Sequence, residues 1–252
     1  MTFSNKRAIV AGGTRGLGRA IVKSPMARGA RVVVVARHPG RADDTPGKER
    51  VEYIAADITD ESAARRILAD VRPDILVLNA GATPVMAPFD ETDWAGFSVT
   101  WNTDVQGGLH WMQTALRQPL APGSRVIVST SGAAQNGSPM SGGYGGAKKM
   151  LWLMAKYANV VSRQKQLGIR FQAVAPLQMV GGTGIGEAGA SAYGGAMGIA
   201  NRDFLARFGV QLLPEHYGEC VAEVLGDPRF ESALALGVKG DTGITILEEA
   251  AA

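Results

Sequence analysis

The chain has 252 residues, of which 46% are hydrophobic, 19% are charged and 33 are glycine. This composition fits one α/β domain or two small ones, and it excludes collagen-like and disordered classes. The net charge of +3 is a small surplus spread along the chain, so we expect no nucleic-acid partner. The single cysteine, Cys220, excludes an internal disulfide, and no apolar run approaches the length of a membrane span. We therefore expect a cytoplasmic protein with no metal site and no membrane partner.

Apolar segments rich in β-branched residues alternate with segments whose apolar residues recur at helical spacing. The strands are predicted at residues 7–11, 31–36, 51–55, 75–78, 125–129, 170–174 and 234–238. The helices are predicted at residues 17–28, 62–71, 94–116, 142–167 and 214–225. This alternation favours right-handed parallel crossovers. We predict an α/β protein: a single Rossmann-fold domain over residues 1–252, with a doubly wound, seven-stranded parallel sheet and helices on both faces.

Residues 181–198, between the sixth strand and the next helix, contain eight glycines. Such a composition predicts a mobile loop, and long loops at the carboxyl ends of parallel strands often close over a ligand. We interpret this segment as a glycine-rich substrate loop, with a plain flexible connection as the alternative. Its Gly-x-Gly-x-x-Gly pattern at 184–189 opens no predicted helix, so we attribute the pattern to chance. Tyr193, Met179 and Met197 are candidates to line an apolar substrate pocket or to serve ordinary packing.

A glycine-rich turn follows the first predicted strand directly and opens a helix. It reads Gly12-Gly13-Thr14-Arg15-Gly16-Leu17-Gly18. Glycine permits a tight turn and a close backbone approach, and a helix N-terminus offers free N–H groups and a positive dipole end to a pyrophosphate. This context predicts a dinucleotide site, while glycines that serve only the turn are the alternative.

The end of the second predicted strand indicates which dinucleotide is bound. Folds that prefer NAD usually carry an acidic residue there for the adenosine ribose, but this chain has Ala36 followed by Arg37. A guanidinium binds a 2′-phosphate well, and Arg15 adds a second cation on the same side. We therefore predict NADP(H). His38 and Arg41 either assist or lie in a polar loop.

Tyr144 and Lys148 are four residues apart at the start of a predicted helix, so both side chains emerge on one face. A nearby ammonium favours the phenolate form and prepares a tyrosine for proton transfer near neutral pH. Ser131 follows the fifth strand and brings a hydroxyl to the same edge of the sheet. Together with the glycine turn, these residues predict a catalytic site.

At this point the sequence resembles the short-chain dehydrogenase/reductase superfamily, in its short single-domain branch. The matching residues are the Gly12-x-x-x-Gly16-x-Gly18 turn, Asp57 after the third strand, Asn79-Ala80-Gly81 after the fourth, and Ser131 thirteen residues before Tyr144, with Lys148 following. The resemblance implies that Tyr144 is the general acid or base and that Ser131 hydrogen-bonds the substrate oxygen. It also implies that Lys148 binds the nicotinamide ribose and tunes the tyrosine.

The resemblance further implies that Asp57 meets the adenine and that Asn79 steadies the sheet beside the cofactor. A helix cap and an ordinary turn are the respective alternatives. The complete cofactor-binding set expected is Gly12, Thr14, Arg15, Gly16, Leu17, Gly18, Arg37, Asp57, Ile58, Asn79, Ala80, Gly81, Tyr144, Lys148 and Pro176. A homodimer or homotetramer is implied through the helices at 94–116 and 142–167.

Two positions depart from the family pattern. The family commonly has an asparagine three residues before a glycine in the long helix ahead of the fifth strand, but counting back from Gly107 reaches Asp104. Either the helix is shifted and Asn102 serves, or Asp104 replaces it, or the relay differs; we assign Asn102 to the catalytic set. The family's Pro-Gly after the sixth strand is Pro176-Leu177 here, and Thr183 is displaced from the usual threonine position.

These observations predict an NADP(H)-dependent oxidoreductase that transfers hydride between the nicotinamide and a carbonyl or secondary alcohol carbon, with ketone reduction favoured. The apolar residues around the loop suggest a hydrophobic or cyclic small-molecule substrate. The alternatives are a non-catalytic NADP-binding sensor or regulatory protein, and a reductase of activated C=C bonds.

Overall fold

The computed structural model of the protein describes residues 2–38 and 48–250, with the side chain of Lys48 excepted. Within these residues, eight strands form one sheet in the order β3-β2-β1-β4-β5-β6-β7-β8. The strands are β1 Arg7–Ala11, β2 Arg31–Ala36, β3 Val51–Ala55, β4 Ile75–Leu78, β5 Arg125–Ser129, β6 Arg170–Pro176, β7 Ala233–Lys239 and β8 Gly243–Glu249. Strands β1 to β7 pair in parallel, which confirms the doubly wound α/β fold.

Helices cover both faces of the sheet. They are α1 Gly16–Ala27, α2 Glu61–Val71, α3 Trp94–Ser98, α4 Gln106–Arg117, α5 Ala133–Asn136, α6 Tyr144–Gln164, α7 Gly184–Met197, α8 Asn201–Ala206 and α9 Pro214–Gly226. Among these residues, no helix is long and apolar enough to cross a membrane.

The apolar run on β2 explains how the sheet is buried on both faces. Val32 and Val34 pack into one core cluster, with Ile21 of α1 and Val221 of α9. Val33 and Val35 point to the other face, where α2, α4 and α6 supply the apolar partners. Since successive strand side chains alternate between faces, a continuous apolar run is what a strand between two helical layers requires.

The predicted number of strands was one too low. Strand β8 adds to the edge of the sheet antiparallel to β7, so the sheet is not wholly parallel. A short turn connects β7 to β8, and Gly243, the first residue of β8, has a φ of +66°. The strand is only half-buried and ends in Glu248 and Glu249, so it lacks the apolar run that identified the interior strands.

The helix predicted over residues 94–116 is interrupted. Helix α3 begins after Asp93, whose side chain accepts the N–H of Gly96, and α4 starts only at Gln106. Between them lies a π-helical turn at Trp101–Val105. Such a turn adds a residue to the helical register, so side chains after it point in directions that a regular helix would not give them.

The glycine-rich segment 181–198 was predicted to be a loop, but residues 184–197 form helix α7. The helix begins after Thr183, whose hydroxyl accepts the N–H of Gly186. Its glycines serve close packing, since a Cβ on Gly186 would lie 1.9 Å from the Val180 carbonyl oxygen and one on Gly189 would lie 2.6 Å from the Met179 Cε. The second glycine pattern, at 184–189, therefore does open a helix, contrary to the expectation.

Candidate active site

A cavity of about 730 Å³ opens at the carboxyl ends of the parallel strands. It lies where β1 has β2 on one side and β4 on the other, the point at which the strand order reverses. Fifteen of the predicted site residues line it: Gly12, Thr14, Arg15, Gly16, Leu17, Arg37, Asp57, Ile58, Asn79, Ala80, Gly81, Ser131, Tyr144, Lys148 and Pro176. Gly18 and Asn102 do not. The structure thus brings together nearly all residues that the sequence grouped.

The glycine turn between β1 and α1 is built for close backbone contact. Gly12 has a φ of +79°, and a Cβ there would lie 2.6 Å from the Cα of Ala80. The Asn79 side-chain amide donates to the Gly12 carbonyl at 3.4 Å, which ties this turn to the end of β4. The side chain of Arg15 does not cap α1, so the first N–H groups of that helix face the cavity uncapped by it.

This cradle fits a pyrophosphate, because the glycines leave room and the helix N-terminus supplies donors and a positive dipole end. Gly18 was predicted to bind the cofactor, but it does not line the cavity. A Cβ at Gly18 would lie 2.0 Å from the Gly12 carbonyl oxygen, so this glycine allows α1 to pack on the turn and does not face the ligand space.

The side chains expected at the adenosine end follow β1, β2 and β3. Arg15 and Arg37 are both exposed and both line the cavity, as does His38. Asp57 accepts the backbone N–H and the hydroxyl of Thr59, and these bonds, with a smaller contribution from Arg37, hold the pKa of Asp57 below its usual value. Arg41 lies outside the described residues.

The predicted catalytic residues lie toward the other end, at β5 and α6. Tyr144 is the first residue of α6, and the Lys148 Nζ lies 5.7 Å from the centre of its ring. Both side chains are buried, with 8% and 4% of the two residues exposed. Lys148 donates to the Ser129 carbonyl at 3.4 Å, and the Ser131 hydroxyl accepts the Ala133 N–H at 3.2 Å.

Asn102, which was assigned to the catalytic set from the sequence, does not line the cavity. Asn102 is exposed, and its side-chain amide donates to the Ser98 hydroxyl at 3.3 Å. Asp104 is buried instead, and its Oδ2 lies 2.9 Å from the Lys148 Nζ. Both residues lie in the π-helical turn, and of the two only Asp104 is buried. Burial works against the charged amine, but the Asp104 carboxylate and Tyr144 raise the pKa of Lys148 above its usual value.

Apolar and aromatic side chains complete the cavity beyond β5 and β6. They come from Met86, Met179, Tyr193, Phe204 and Phe208. The Tyr193 hydroxyl lies 2.8 Å from the Ser138 hydroxyl and accepts the Met140 N–H at 3.3 Å, so it joins α7 to the segment before α6. Tyr193 and Met179 therefore lie where they were expected, whereas Met197 is half-exposed and outside the lining. The sequence analysis missed Phe204 and Phe208, although their i, i+4 spacing was a signal for one apolar face.

The second family departure has a local explanation. Leu177 packs against β7 at Gly237, where a Cβ would lie 2.4 Å from the Leu177 Cδ1. The bulkier residue after Pro176 thus fills space that the glycine on the neighbouring strand leaves open. Thr183 lines the cavity, and its hydroxyl donates to the Val180 carbonyl while it caps α7.

Comparison with known proteins decides the family. The family model for short chain dehydrogenases matches residues 6–192. The chain belongs to the short-chain dehydrogenase family. The resemblance drawn from the motifs is therefore confirmed. Members of this family are oxidoreductases that use a nicotinamide cofactor and act on alcohol or carbonyl groups of small molecules.

Among the relatives, bovine (Bos taurus) L-xylulose reductase is 31% identical over 217 residues, which cover 82% of this chain and 85% of that protein. Carbonyl reductase [NADPH] 2 of Sus scrofa is 34% identical over 137 residues, covering 52% of this chain and 55% of the relative. The solved structure of NAD+-bound xylitol dehydrogenase superposes with a TM-score of 0.81 at 18% identity, over 95% of this chain and all of that one. This likeness supports the fold alone.

Proposed function

We propose that this protein is an NADP(H)-dependent oxidoreductase that interconverts a ketone and a secondary alcohol, with reduction as the working direction. The observation that carries the proposal is a single cavity with Ser131, Tyr144 and Lys148 at one end and two arginines at the other. NADP(H) supplies the hydride when it is bound. The protein's own residues then have to bind the carbonyl, hold its oxygen and deliver a proton.

The residues at the catalytic end divide these tasks. As the carbonyl oxygen gains negative charge, the Tyr144 Oη donates its proton to that oxygen, and the Ser131 hydroxyl donates a hydrogen bond to it. Lys148 lies one helical turn from Tyr144 and presents its ammonium near the ring. In the opposite direction, the tyrosine accepts the proton of the alcohol.

The preference for NADP(H) rests on the charges at the adenosine end. Arg15 and Arg37 are exposed cations on the cavity wall, and the residue at the end of β2 is Ala36 instead of a carboxylate. Two guanidinium groups favour a 2′-phosphate, which a carboxylate at the same place would repel.

The wall near Tyr144 supports an uncharged substrate with an apolar or cyclic body. Within the described part of the chain, the Asp, Glu, Lys, Arg and His side chains that line the cavity are Arg15, Arg37, His38, Asp57 and Lys148. The first four follow β1, β2 and β3, on the cofactor side of the strand order. The substrate side otherwise offers thioethers, aromatic rings, neutral hydroxyls and the amides of Asn136 and Gln178, which suit a neutral substrate better than a carboxylate or phosphate.

The experiment is a turnover assay with purified protein, NADPH and a panel of ketones, quinones and enones. We expect loss of the reduced-nicotinamide absorbance with at least one cyclic or aromatic ketone. Tyr144→Phe should lower kcat by at least about a hundredfold while NADPH still binds, because the substitution removes only the proton donor. Tyr157→Phe, an exposed tyrosine on the same helix, is the matched control.

Two results would overturn the proposal. Tight NADPH binding without turnover on any carbonyl would favour a sensor or regulatory protein. Turnover that is confined to the C=C bond of the enones would assign the hydride acceptor to the activated alkene class instead.

A further inference from the structure

Asp104, the buried acid beside Lys148, has no role in the proposed reaction as described so far. Asp104 is 1% exposed, and its carboxylate is shared between two elements. One oxygen accepts the N–H of Ala82 at 2.8 Å, in the turn after β4. The other lies 2.9 Å from the Lys148 Nζ on α6. The acid therefore joins the end of a strand to the helix that carries Tyr144.

The surroundings are shaped to admit this carboxylate. A Cβ on Gly81 would lie 2.5 Å from the Asp104 Oδ2, so only glycine leaves room for the acid at this point of the turn. Asp104 lies within the π-helical turn Trp101–Val105, and its N–H bonds to the Thr100 carbonyl at 2.8 Å. Both features come from residues outside the catalytic set, which indicates a built contact.

The charge balance next to Tyr144 follows from this pair. An unpaired ammonium near a phenol favours the phenolate, because it stabilises the negative form. Here the ammonium faces a carboxylate at contact distance in a buried site, so the two charges largely cancel at longer range. Tyr217 on α9 also interacts with Tyr144, but it stays a neutral phenol because burial raises its pKa.

We propose that Asp104 is a positioning residue whose carboxylate neutralises Lys148 and thereby keeps the Tyr144 hydroxyl protonated at neutral pH, the form that donates a proton to a ketone. The pair thus holds the tyrosine in the form from which ketone reduction starts. This inference rests on the proposed function, since it assigns Tyr144 the part of the proton donor. An asparagine at residue 104 would leave the ammonium uncompensated and favour the phenolate, the form that oxidation needs.

The test compares the chain with Asp104→Asn over a range of pH. In the substituted protein we expect the pH above which ketone reduction declines to fall by about one unit, and alcohol oxidation to start at a correspondingly lower pH. Asp93→Asn makes the same chemical change at the cap of α3, outside the cavity, and should leave the pH profile where it is. An unchanged profile in Asp104→Asn, or one displaced to higher pH, would overturn the proposal.

A second readout needs no turnover, so it separates this inference from the proposed function. The tyrosinate absorbance that Tyr144→Phe removes reports the ionisation of Tyr144 alone. In the unsubstituted chain this difference signal should be absent at neutral pH and appear only in alkaline solution. Its presence at pH 7 would contradict the proposal even if Asp104→Asn fails to fold. If the signal is absent at neutral pH and no carbonyl is reduced, the inference about the charge pair survives and the proposed reaction does not.

Discussion

Arg37 follows β2 at the point where an acidic residue would hold the adenosine ribose of NAD, and no element covers its exposed guanidinium within the described residues. The sign of the charge at this position decides between the two dinucleotides. A cation attracts a 2′-phosphate, whereas an anion repels the phosphate and accepts hydrogen bonds from a free hydroxyl.

Arg37→Asp should therefore weaken NADPH binding at least about tenfold with little loss for NADH. Binding constants for both nucleotides, measured by fluorescence titration, check this expectation. Arg31→Asp is the matched control, because Arg31 begins the same strand at the end remote from the cavity. Equal loss of both nucleotides in Arg37→Asp would mean that Arg37 does not contact the 2′-phosphate.

At the residue scale, most of the site residues that motif order predicted do line the cavity, but motif order did not single out the acid beside Lys148. Ser131, Tyr144 and Lys148 were found because their spacing is tied to the start of one helix and the end of one strand. The choice between Asn102 and Asp104 failed because it depends on how the helix turns between Thr100 and Gln106. A π-helical turn is a matter of backbone register, and residue types alone do not reveal it.

Among the elements, α7 is the one whose sequence suggested the opposite of its structure. Its glycine content predicted a loop, since glycine weakens an isolated helix. The structure instead uses Gly186 and Gly189 to bring α7 against the segment at Val180 and Met179, so tertiary packing outweighs the local preference. The interior strands were predicted closely because a strand buried on both faces needs an apolar run, a signal that β8 at the sheet edge lacks.

The Tyr193 side chain connects helix α7 to the segment before α6. The Tyr193 hydroxyl contacts the Ser138 hydroxyl and accepts the Met140 N–H, while its ring stacks on Phe204 at 5.8 Å between centroids. Tyr193→Phe keeps the stacking and removes both hydrogen bonds. We expect roughly three- to tenfold faster amide exchange in residues 184–197 and a higher KM, because the helix opens more often.

Hydrogen–deuterium exchange with mass spectrometry measures this effect on the helix directly. Tyr157→Phe removes an exposed hydroxyl from α6 and should leave exchange in α7 unchanged. If Tyr193→Phe exchanges at the rate of the unsubstituted chain, the phenol does not hold α7 in place.

At the scale of the whole molecule, helix α1 near the start of the sequence and helix α9 near its end pack together over one face of the sheet. Helix α9 packs on α1 so closely that a Cβ on Gly218 would lie 2.5 Å from the Ala20 carbonyl oxygen. Helix α1 starts at the glycine turn, and α9 comes shortly before β7, the strand that pairs with β6. Separating α9 from α1 therefore requires disruption of the layer that supports the nucleotide cradle.

Cys220 lies on α9 within this layer and provides a probe of such opening. Its thiol is 4% exposed, and burial, followed by the charges of Glu223 and Glu219, raises its pKa to about 11. At neutral pH the reactive thiolate is scarce and the sulfur is covered, so a disulfide reagent reaches it only when the core opens. We expect native protein to react at least about a thousandfold more slowly than protein unfolded in denaturant.

The same assay tests whether the nucleotide stabilises this core. Saturating NADPH should slow the reaction further, because a ligand that binds only the folded state lowers the population of the open one. The control Ser232→Cys in a Cys220→Ser background places a thiol at an exposed position, and its reaction should be fast and insensitive to NADPH. Rapid stoichiometric labelling of Cys220 in native protein would show that α9 leaves α1 without global unfolding. Labelling that is slow but unaffected by NADPH would mean that nucleotide binding does not stabilise the layer formed by α1 and α9.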